Sequence, residues 1–176
     1  MRQLAEAVGV QKSSIYAHYS SKEAIFRSLF DQWGPAAFVD RLKSQEYRRL
    51  TNDPRAFCHR CADDLIERWM DWREQLFVAV ASRERGNIGE DRARFHEILF
   101  VEENDLLAEY FEAFQNQQLI RVSDTREVAR IFSSGLINLR MTYVDAPEGP
   151  ASREILQQAM SRYLDCFLAL ILKPTC

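Results

Sequence analysis

The sequence is poor in turn-forming residues and in long apolar runs. Its 176 residues include only six glycines and five prolines, which argues against an all-β protein with many tight turns. No apolar run reaches the roughly 18 residues that a membrane-spanning helix needs. No basic segment followed by an apolar stretch opens the chain, so we expect no secretion signal. With four cysteines and no such signal, we expect a protein of the reducing cytoplasm, where disulfides are rare.

The sequence also lacks the motifs of common catalytic and cofactor sites. It contains no G-x-S-x-G or H-E-x-x-H motif, no phosphate-binding loop and no dinucleotide fingerprint. The carboxylate pairs Asp63–Asp64 and Glu102–Glu103 are adjacent residues, which point to different sides of a helix. We interpret both pairs as solvated surface. The sequence therefore predicts neither an enzyme nor a protein with a resident cofactor.

Cys58 and Cys61 have C-x-x-C spacing. Three interpretations fit this spacing, namely metal ligands, a reactive thiol or two buried small residues. A structural zinc usually needs four ligands, generally from a second such pair, and the chain has no second pair. A thioredoxin-like redox site needs a βαβ context, which the sequence does not predict. We favour two buried small residues on one helix face, with a reactive thiol or a metal ligand as the alternatives, and we expect no metal site.

Apolar residues make up 47% of the chain and recur at helical spacing almost throughout. The pattern predicts short helices over 2–8 and 11–19, joined at Gly9, and a third helix from Ser21 capped by Ser20. A break is expected at Gly34-Pro35. The later helices are predicted from Pro54 to about 70–72, then to about 85, over 91–118, over 125–144 and over 152–172, with a turn at 85–89.

The last two predicted helices are apolar on more than one side. Helices of this kind must be buried on more than one side, which favours a homodimer formed through them over two ordinary core helices. Gly135 in the middle of the first of them costs about 1 kcal/mol relative to alanine in an exposed helix. Its presence predicts that another helix crosses closely at that point.

The N-terminal segment differs in charge from the rest of the chain. Residues 1–30 carry four basic and two acidic groups, a balance of +2, whereas the remainder has a balance of −5. Two short helices joined by a glycine turn are typical of a helix-turn-helix, whose second helix enters the major groove of DNA. The start of that second helix supplies four polar residues, namely Gln11, Lys12, Ser13 and Ser14. Tyr16 and Lys22 are suited to contact phosphate, although a solvated polar helix pair is the alternative.

The segment LAEAVGVQKSSIYAHYSSKEAIF, residues 4–26, resembles the DNA-binding segment of the TetR (tetracycline-repressor) family of bacterial transcription regulators. The agreeing positions are Leu4-Ala5, Gly9-Val10, Ile15-Tyr16, His18-Tyr19 and Lys22-Glu23. Over the rest of the chain the resemblance is one of helix order and length. It implies an all-α fold, with a helix-turn-helix domain and connecting helix at 1–45 and a helical ligand-binding and dimerisation domain at 46–176.

The resemblance also implies roles for individual residues. The residues Gln11 to Ser14 would face the bases or phosphates of a double-stranded operator, and Tyr16, His18 and Lys22 would lie at its backbone or groove edge. Ala17 holds a position that is often aromatic in the family, so that one contact would be either lost or apolar, for example against a thymine methyl group. Ser13 stands where glycine or proline is usual, a difference that bears on the operator sequence.

Family members carry a further helix before this segment, and the sequence as given begins within the second helix. We therefore expect an incomplete helix-turn-helix unit that exposes apolar surface at Leu4, Ile15 and Phe26. We expect weak or no DNA binding by this chain, and binding by a longer parent.

A ligand cavity among the central helices is implied as well. Our candidates for contacts to a small-molecule effector are Trp69, Phe77, Phe100, Asn138 and Arg140. Asn138 and Arg140 lie within an apolar stretch and would supply the few polar contacts that a pocket needs, unless they are exposed or at the edge of a dimer. An anionic ligand follows if Arg140 lines the cavity.

The sequence thus predicts a dimeric repressor that binds a palindromic operator and is released by a small-molecule inducer. The alternative is a dimeric helical bundle that binds a small molecule or another protein and has no DNA-binding activity.

Overall fold

A computed structural model describes residues 5–6, 9–34, 36–83, 93, 97–146 and 148–173 of the chain. This part is helical, and its one described β-type pairing is an isolated antiparallel bridge between Ile120 and Leu172. A π-helix at Glu97–Glu102 directly precedes α7. The α-helices are α1 (Lys12–His18), α2 (Lys22–Trp33), α3 (Ala36–Leu42), α4 (Gln45–Arg48), α5 (Pro54–Trp69), α6 (Trp72–Arg83), α7 (Glu103–Asn116), α8 (Thr125–Tyr143) and α9 (Arg153–Ile171).

Local sequence signals start most of these helices. The Asp53 side chain accepts a hydrogen bond from the Ala56 N–H (2.9 Å), with Pro54 at the first helical position. Asp124 and Ser152 cap α8 and α9 in the same way. The predicted cap of α2 was wrong by one residue, because Ser21 rather than Ser20 accepts from the N–H of Ala24.

Other predicted boundaries differ from the structure in two places. The continuous α-helix expected over 91–118 is wrong at Glu97–Glu102, where a π-helix takes its place. A π-turn holds more residues per turn, and apolar spacing does not reveal this change. The short helix α4 was not predicted. The expected helix at 2–8 is described only at Ala5 and Glu6, which are helical, and the expected turn at 85–89 lies outside the described residues.

The main core is a cluster of aromatic rings between α5, α7, α8 and α9. The rings of Phe57 and Tyr110 stack with centroids 4.5 Å apart, and those of Phe132 and Phe167 lie 5.0 Å apart. Phe111 contacts both pairs, at 6.2 Å from Phe57 and 5.8 Å from Phe132. Rings of this size and geometry contribute strongly to core packing.

A smaller cluster attaches the N-terminal helices to this bundle. Phe77 of α6 packs against Phe26 and Phe30 of α2, with ring centroids at 5.8 and 6.1 Å. Val39 of α3 belongs to the same cluster. The α2 helix is therefore positioned by α3 and α6. Across the described helices, none combines the length and apolarity that a membrane crossing requires.

The expectation that both carboxylate pairs are solvated was wrong for one member of each. Asp63 is exposed, but Asp64 is buried, and Glu103 is buried beside the partly exposed Glu102. Asp64 is stabilised inside because Arg41 and the hydroxyl of Tyr47 donate to it, at 2.6 and 2.9 Å. Burial of Glu103 raises the pKa of its carboxyl from 4.5 to about 7, an effect that the positive charge of Arg68 opposes.

Candidate nucleic-acid interface

A glycine turn precedes α1, as the sequence predicts. Gly9 has φ of 70°, a conformation that glycine adopts without steric cost. The Gly9 N–H donates to the carbonyl of Glu6 (3.3 Å), and the Val10 N–H donates to that of Ala5 (3.0 Å). Gln11 then has an extended backbone (ψ 144°) and α1 begins at Lys12. The turn places the start of α1 at the surface.

The inward side of α1 is narrow. Ile15 and Tyr19 are half-buried, and they are four residues apart, so they share one face. The predicted DNA-contacting residues are all exposed, namely Gln11, Lys12, Ser13, Ser14, Tyr16, Ala17, His18 and Lys22. Their contact with DNA stays a prediction, but none is sequestered in the core.

Two of these side chains contact each other along α1. The Lys12 ammonium lies 5.5 Å from the centroid of the Tyr16 ring, a cation–π distance, and the Tyr16 side chain is 46% exposed. Lys22 begins α2 directly after the capping residue Ser21. The arrangement presents two ammonium groups, several hydroxyls and a helix start that has no side-chain cap, which is the chemistry that phosphate contacts use.

The predicted ligand-contacting residues are only partly brought together. Arg140 lies over the ring of buried Trp69, with its guanidinium carbon 5.6 Å from the centroid. Phe77 packs in the α2–α6 cluster, while Phe100 and Asn138 are exposed. A shared cavity for the five residues stays a prediction.

Arg140 takes part in ion pairs that the sequence did not indicate. Its Nη1 donates to Glu74 Oε1 (2.6 Å) and its Nε to Asp145 Oδ2 (3.1 Å). The other Glu74 oxygen accepts from Nε of Arg68 (3.0 Å). No sequence pattern could have predicted this set, because Glu74 and Arg140 are 66 positions apart and meet only through tertiary packing. The charge of Arg140 is thus already balanced by two carboxylates.

Two open grooves lie along α3 and α7, away from the predicted ligand-contacting residues. Lys43, which forms an ion pair with Glu102, lines both grooves. The first, of about 210 Å³, is lined by Leu42, Lys43, Arg48, Thr51, Leu106, Glu109 and Tyr110. The second, of about 300 Å³, is lined by Lys43, Glu97, Val101, Glu102, Asp105, Leu106 and Glu109.

Cys58 and Cys61 are buried in the main core. Burial raises the pKa of both thiols, which disfavours the reactive thiolate form. Within the described ranges, no group of three or more histidine, cysteine, aspartate or glutamate side chains is arranged to hold a metal ion. The placement agrees with a packing role for the pair.

The last two helices carry large apolar side chains on their outer sides as well as their inner ones. On α8, Ile131 and Met141 are exposed, and on α9, Ile155 and Leu170 are exposed, Leu170 by 71%. The inner sides of the same helices bury Phe132 and other core residues. An outer apolar surface on otherwise well-packed helices is typical of an interface.

Comparison with known proteins agrees with this geometry. The sequence model of the bacterial regulatory proteins of the tetR family matches residues 1–29. A solved structure from Mesorhizobium loti MAFF303099, provisionally described as a TetR-family transcriptional regulator, has the same fold. The TM-score is 0.70, the identity is 19%, and the alignment covers 96% of this chain and 84% of that one. No curated protein matches the sequence. The N-terminal segment is thus similar to the tetR family of bacterial regulatory proteins, and the chain has the all-α fold of the Mesorhizobium loti protein.

Proposed function

We propose that the protein is a cytoplasmic repressor that binds a palindromic DNA operator as a homodimer and is released by a small-molecule inducer. The observation that carries the proposal is the exposed surface formed by α1 and the start of α2, where every predicted DNA-contacting residue is accessible. No catalytic role is proposed.

The exposed side chains of α1, of its N-cap and of the start of α2 fall into three groups by their chemistry. Ser13 and Ser14 are small, so the backbone can approach the major groove, and Ala17 offers a methyl group to thymine. Gln11 and Lys12 carry donors for base edges or phosphates. Tyr16, His18 and Lys22 are suited to phosphate contacts, which position the protein without specifying sequence.

A dimer through α8 and α9 would cover the outer apolar side chains of both helices. A two-fold arrangement uses the same surface on each subunit. It would present two copies of α1 about 34 Å apart, one turn of DNA. The palindromic operator follows from that symmetry.

Release by an inducer requires a ligand that binds one spacing of the two α1 helices better than another. Domain 46–176 would hold this ligand, and domain 1–45 would bind DNA, with the boundary falling inside α4. Trp69 and Arg140 are the best supported contacts because they already lie together. Phe77, Phe100 and Asn138 are the further candidates.

A selection experiment tests the proposal. Random duplexes would be selected with this chain at low salt. We expect the selection to enrich palindromes with half-sites about 10 base pairs apart. If no sequence is enriched, a helical bundle without DNA-binding activity becomes the better account.

A further inference from the structure

The helix pair α1–α2 joins the rest of the chain at Gly34. The Gly34 N–H donates to the carbonyl oxygen of Phe30 (2.9 Å) at the end of α2, and the Gly34 carbonyl accepts from the N–H of Ala37 (3.2 Å) in α3. A Cβ added at Gly34 would lie 2.3 Å from the Phe30 carbonyl oxygen, so the bend requires glycine. The orientation of α2 relative to α3 is therefore set at this buried residue.

A second donor reaches the same carbonyl from α5. Nη2 of Arg68 donates to the Gly34 carbonyl oxygen over 2.8 Å, and Nε of Arg68 donates to Glu74 Oε2 over 3.0 Å. The planar guanidinium fixes the angle between its two partners. The Glu74 side chain is only 4% exposed, so its charge depends on such partners.

The first turn of α6, which contains Glu74, also contacts the end of α2 directly. Arg73 lies over the Trp33 ring, with its guanidinium carbon 5.3 Å from the centroid. One turn further on, Phe77 packs against Phe30. A displacement of this turn would therefore move the end of α2 together with the Gly34 carbonyl.

Glu74 is held from its other side by the last turn of α8. Arg140 donates to Glu74 Oε1 over 2.6 Å and to Asp145 over 3.1 Å. Nη2 of Arg140 is buried without an acceptor among the described residues. A partly satisfied buried network is held less firmly than a complete one, so Arg140 is the contact most open to rearrangement.

We propose that Glu74, held between Arg68 and Arg140, couples the last turn of α8 to the Gly34 bend and so controls the orientation of the helices that bind DNA. The physical reason is charge balance. A buried carboxylate that loses one of two guanidinium partners must move toward the other or take up water, because an unpaired buried charge is strongly unfavourable. A shift of Arg140 therefore changes the position of Arg68 at Gly34. The consequence for DNA rests on the proposed function, but the coupling does not.

Amide hydrogen exchange tests the coupling without DNA. In Arg140→Met, we expect the amides of Gly34 and Ala37 to exchange about fivefold faster than in the unmodified chain, since the Gly34 bend opens more often. The control is Arg130→Met, which breaks the exposed Arg130–Glu127 ion pair on the same helix and should leave both amides unchanged. Faster exchange confined to the last turn of α8 would overturn the proposal.

A double-mutant cycle tests whether Arg140 acts on Gly34 through Glu74 and Arg68. Arg68→Met should also accelerate exchange at Gly34 and Ala37, and adding Arg140→Met to it should have little further effect if both act through Glu74. If the two substitutions accelerate amide exchange additively, they act independently, and the proposed link through Glu74 is contradicted. If Arg140→Met does not fold, Arg140→Lys serves instead, because a lysine cannot bridge Glu74 and Asp145 as the guanidinium does.

The two proposals can fail separately. If exchange responds as expected but no DNA is bound, the coupling stands and the proposed function falls. If DNA is bound and exchange at Gly34 does not respond to Arg140→Met, the proposed function stands and the coupling falls.

Discussion

Gly135 of α8 lies directly beneath the ring of Tyr163 of α9. A Cβ added at Gly135 would be 2.2 Å from Cε2 of that ring, and the Tyr163 hydroxyl donates to the carbonyl of Phe132 over 2.8 Å. The close crossing that the sequence predicted at Gly135 is thus confirmed. It explains why a residue with poor helix propensity stands in the middle of a 19-residue helix.

We expect Gly135→Ala to destabilise the fold, although the same change in an exposed helix would stabilise it by about 1 kcal/mol. The added methyl group would force Tyr163 aside, and such overpacking costs about 1–3 kcal/mol. Urea unfolding measures the free energy, with Ser134→Ala at the adjacent exposed position as the control. A stabilised Gly135→Ala variant would show that the two helices are not so closely packed.

Asp64 and Asp63 are expected to differ sharply despite being neighbours. Asp64 is buried, pairs with Arg41 at 2.6 Å and Arg60 at 3.0 Å, and accepts from the Tyr47 hydroxyl. Removing it in Asp64→Ala leaves the buried Tyr47 hydroxyl without its acceptor, which costs about 1–3 kcal/mol, whereas the partly exposed arginines can be solvated. In thermal unfolding, the melting temperature should fall clearly for Asp64→Ala and hardly at all for Asp63→Ala. Equal effects would place both side chains at the surface.

The stability of the fold should decrease as pH rises through the range in which Glu103 titrates. Its pKa is raised from 4.5 to about 7 by burial, so between these values the folded chain retains a proton that the unfolded chain has released. Folding is then favoured at the acidic end of the range, and the free energy of unfolding falls by about 3 kcal/mol towards neutral pH.

Glu103→Gln should remove that pH dependence. The variant is expected to match the original chain near pH 5 and to exceed its stability near pH 8, when both are unfolded in urea. Glu109→Gln, at an exposed position of the same helix, is the control. A Glu103→Gln variant less stable at pH 8 would mean that the carboxylate is charged and stabilising in the fold.

The proposed dimer depends on the outer apolar side chains of α8 and α9. Leu170→Glu would place a charge in the proposed interface, and we expect the dissociation constant to rise at least about tenfold, or about 1.4 kcal/mol. Sedimentation measures the dissociation constant. Leu76→Glu on α6 is the control, because Leu76 is likewise an exposed leucine (56%). Unchanged association of Leu170→Glu would locate the dimer contact elsewhere.

Much of the fold could be predicted because its signals are local. Pro54 and Asp53 mark the start of α5 within a few residues, and Gly9 marks the turn before α1. Which member of the Asp63–Asp64 pair is buried could not be predicted, because that depends on Arg41, 23 positions away.

In the candidate site, too, local features could be predicted from the sequence and contacts between distant residues could not. The exposed residues of α1 follow from helical spacing, because only Ile15 and Tyr19 are needed on its inner face. The Arg68–Glu74–Arg140 contacts could not be predicted, since they join three helices whose packing no local pattern encodes. The same physical reason applies to the proposed ligand contacts, because a cavity forms only when the helices pack and no local pattern encodes it.

Lys22 offers a direct test of the phosphate contacts. Lys22→Ala should weaken DNA binding by a similar factor on every sequence and reduce the dependence on salt by about one unit of slope. Lys173→Ala, an exposed lysine near the other end of the chain, should do neither. A loss confined to one base position would assign Lys22 to base recognition instead.

The central claim is that α1 and α2 bind operator DNA, and a salt-dependent binding titration tests it most directly. The chain would be titrated with duplex DNA from beside the gene, between about 50 and 200 mM salt. The account predicts sequence-specific binding, with the logarithm of the affinity falling linearly with the logarithm of the salt concentration. Absence of binding at the lowest salt would contradict it.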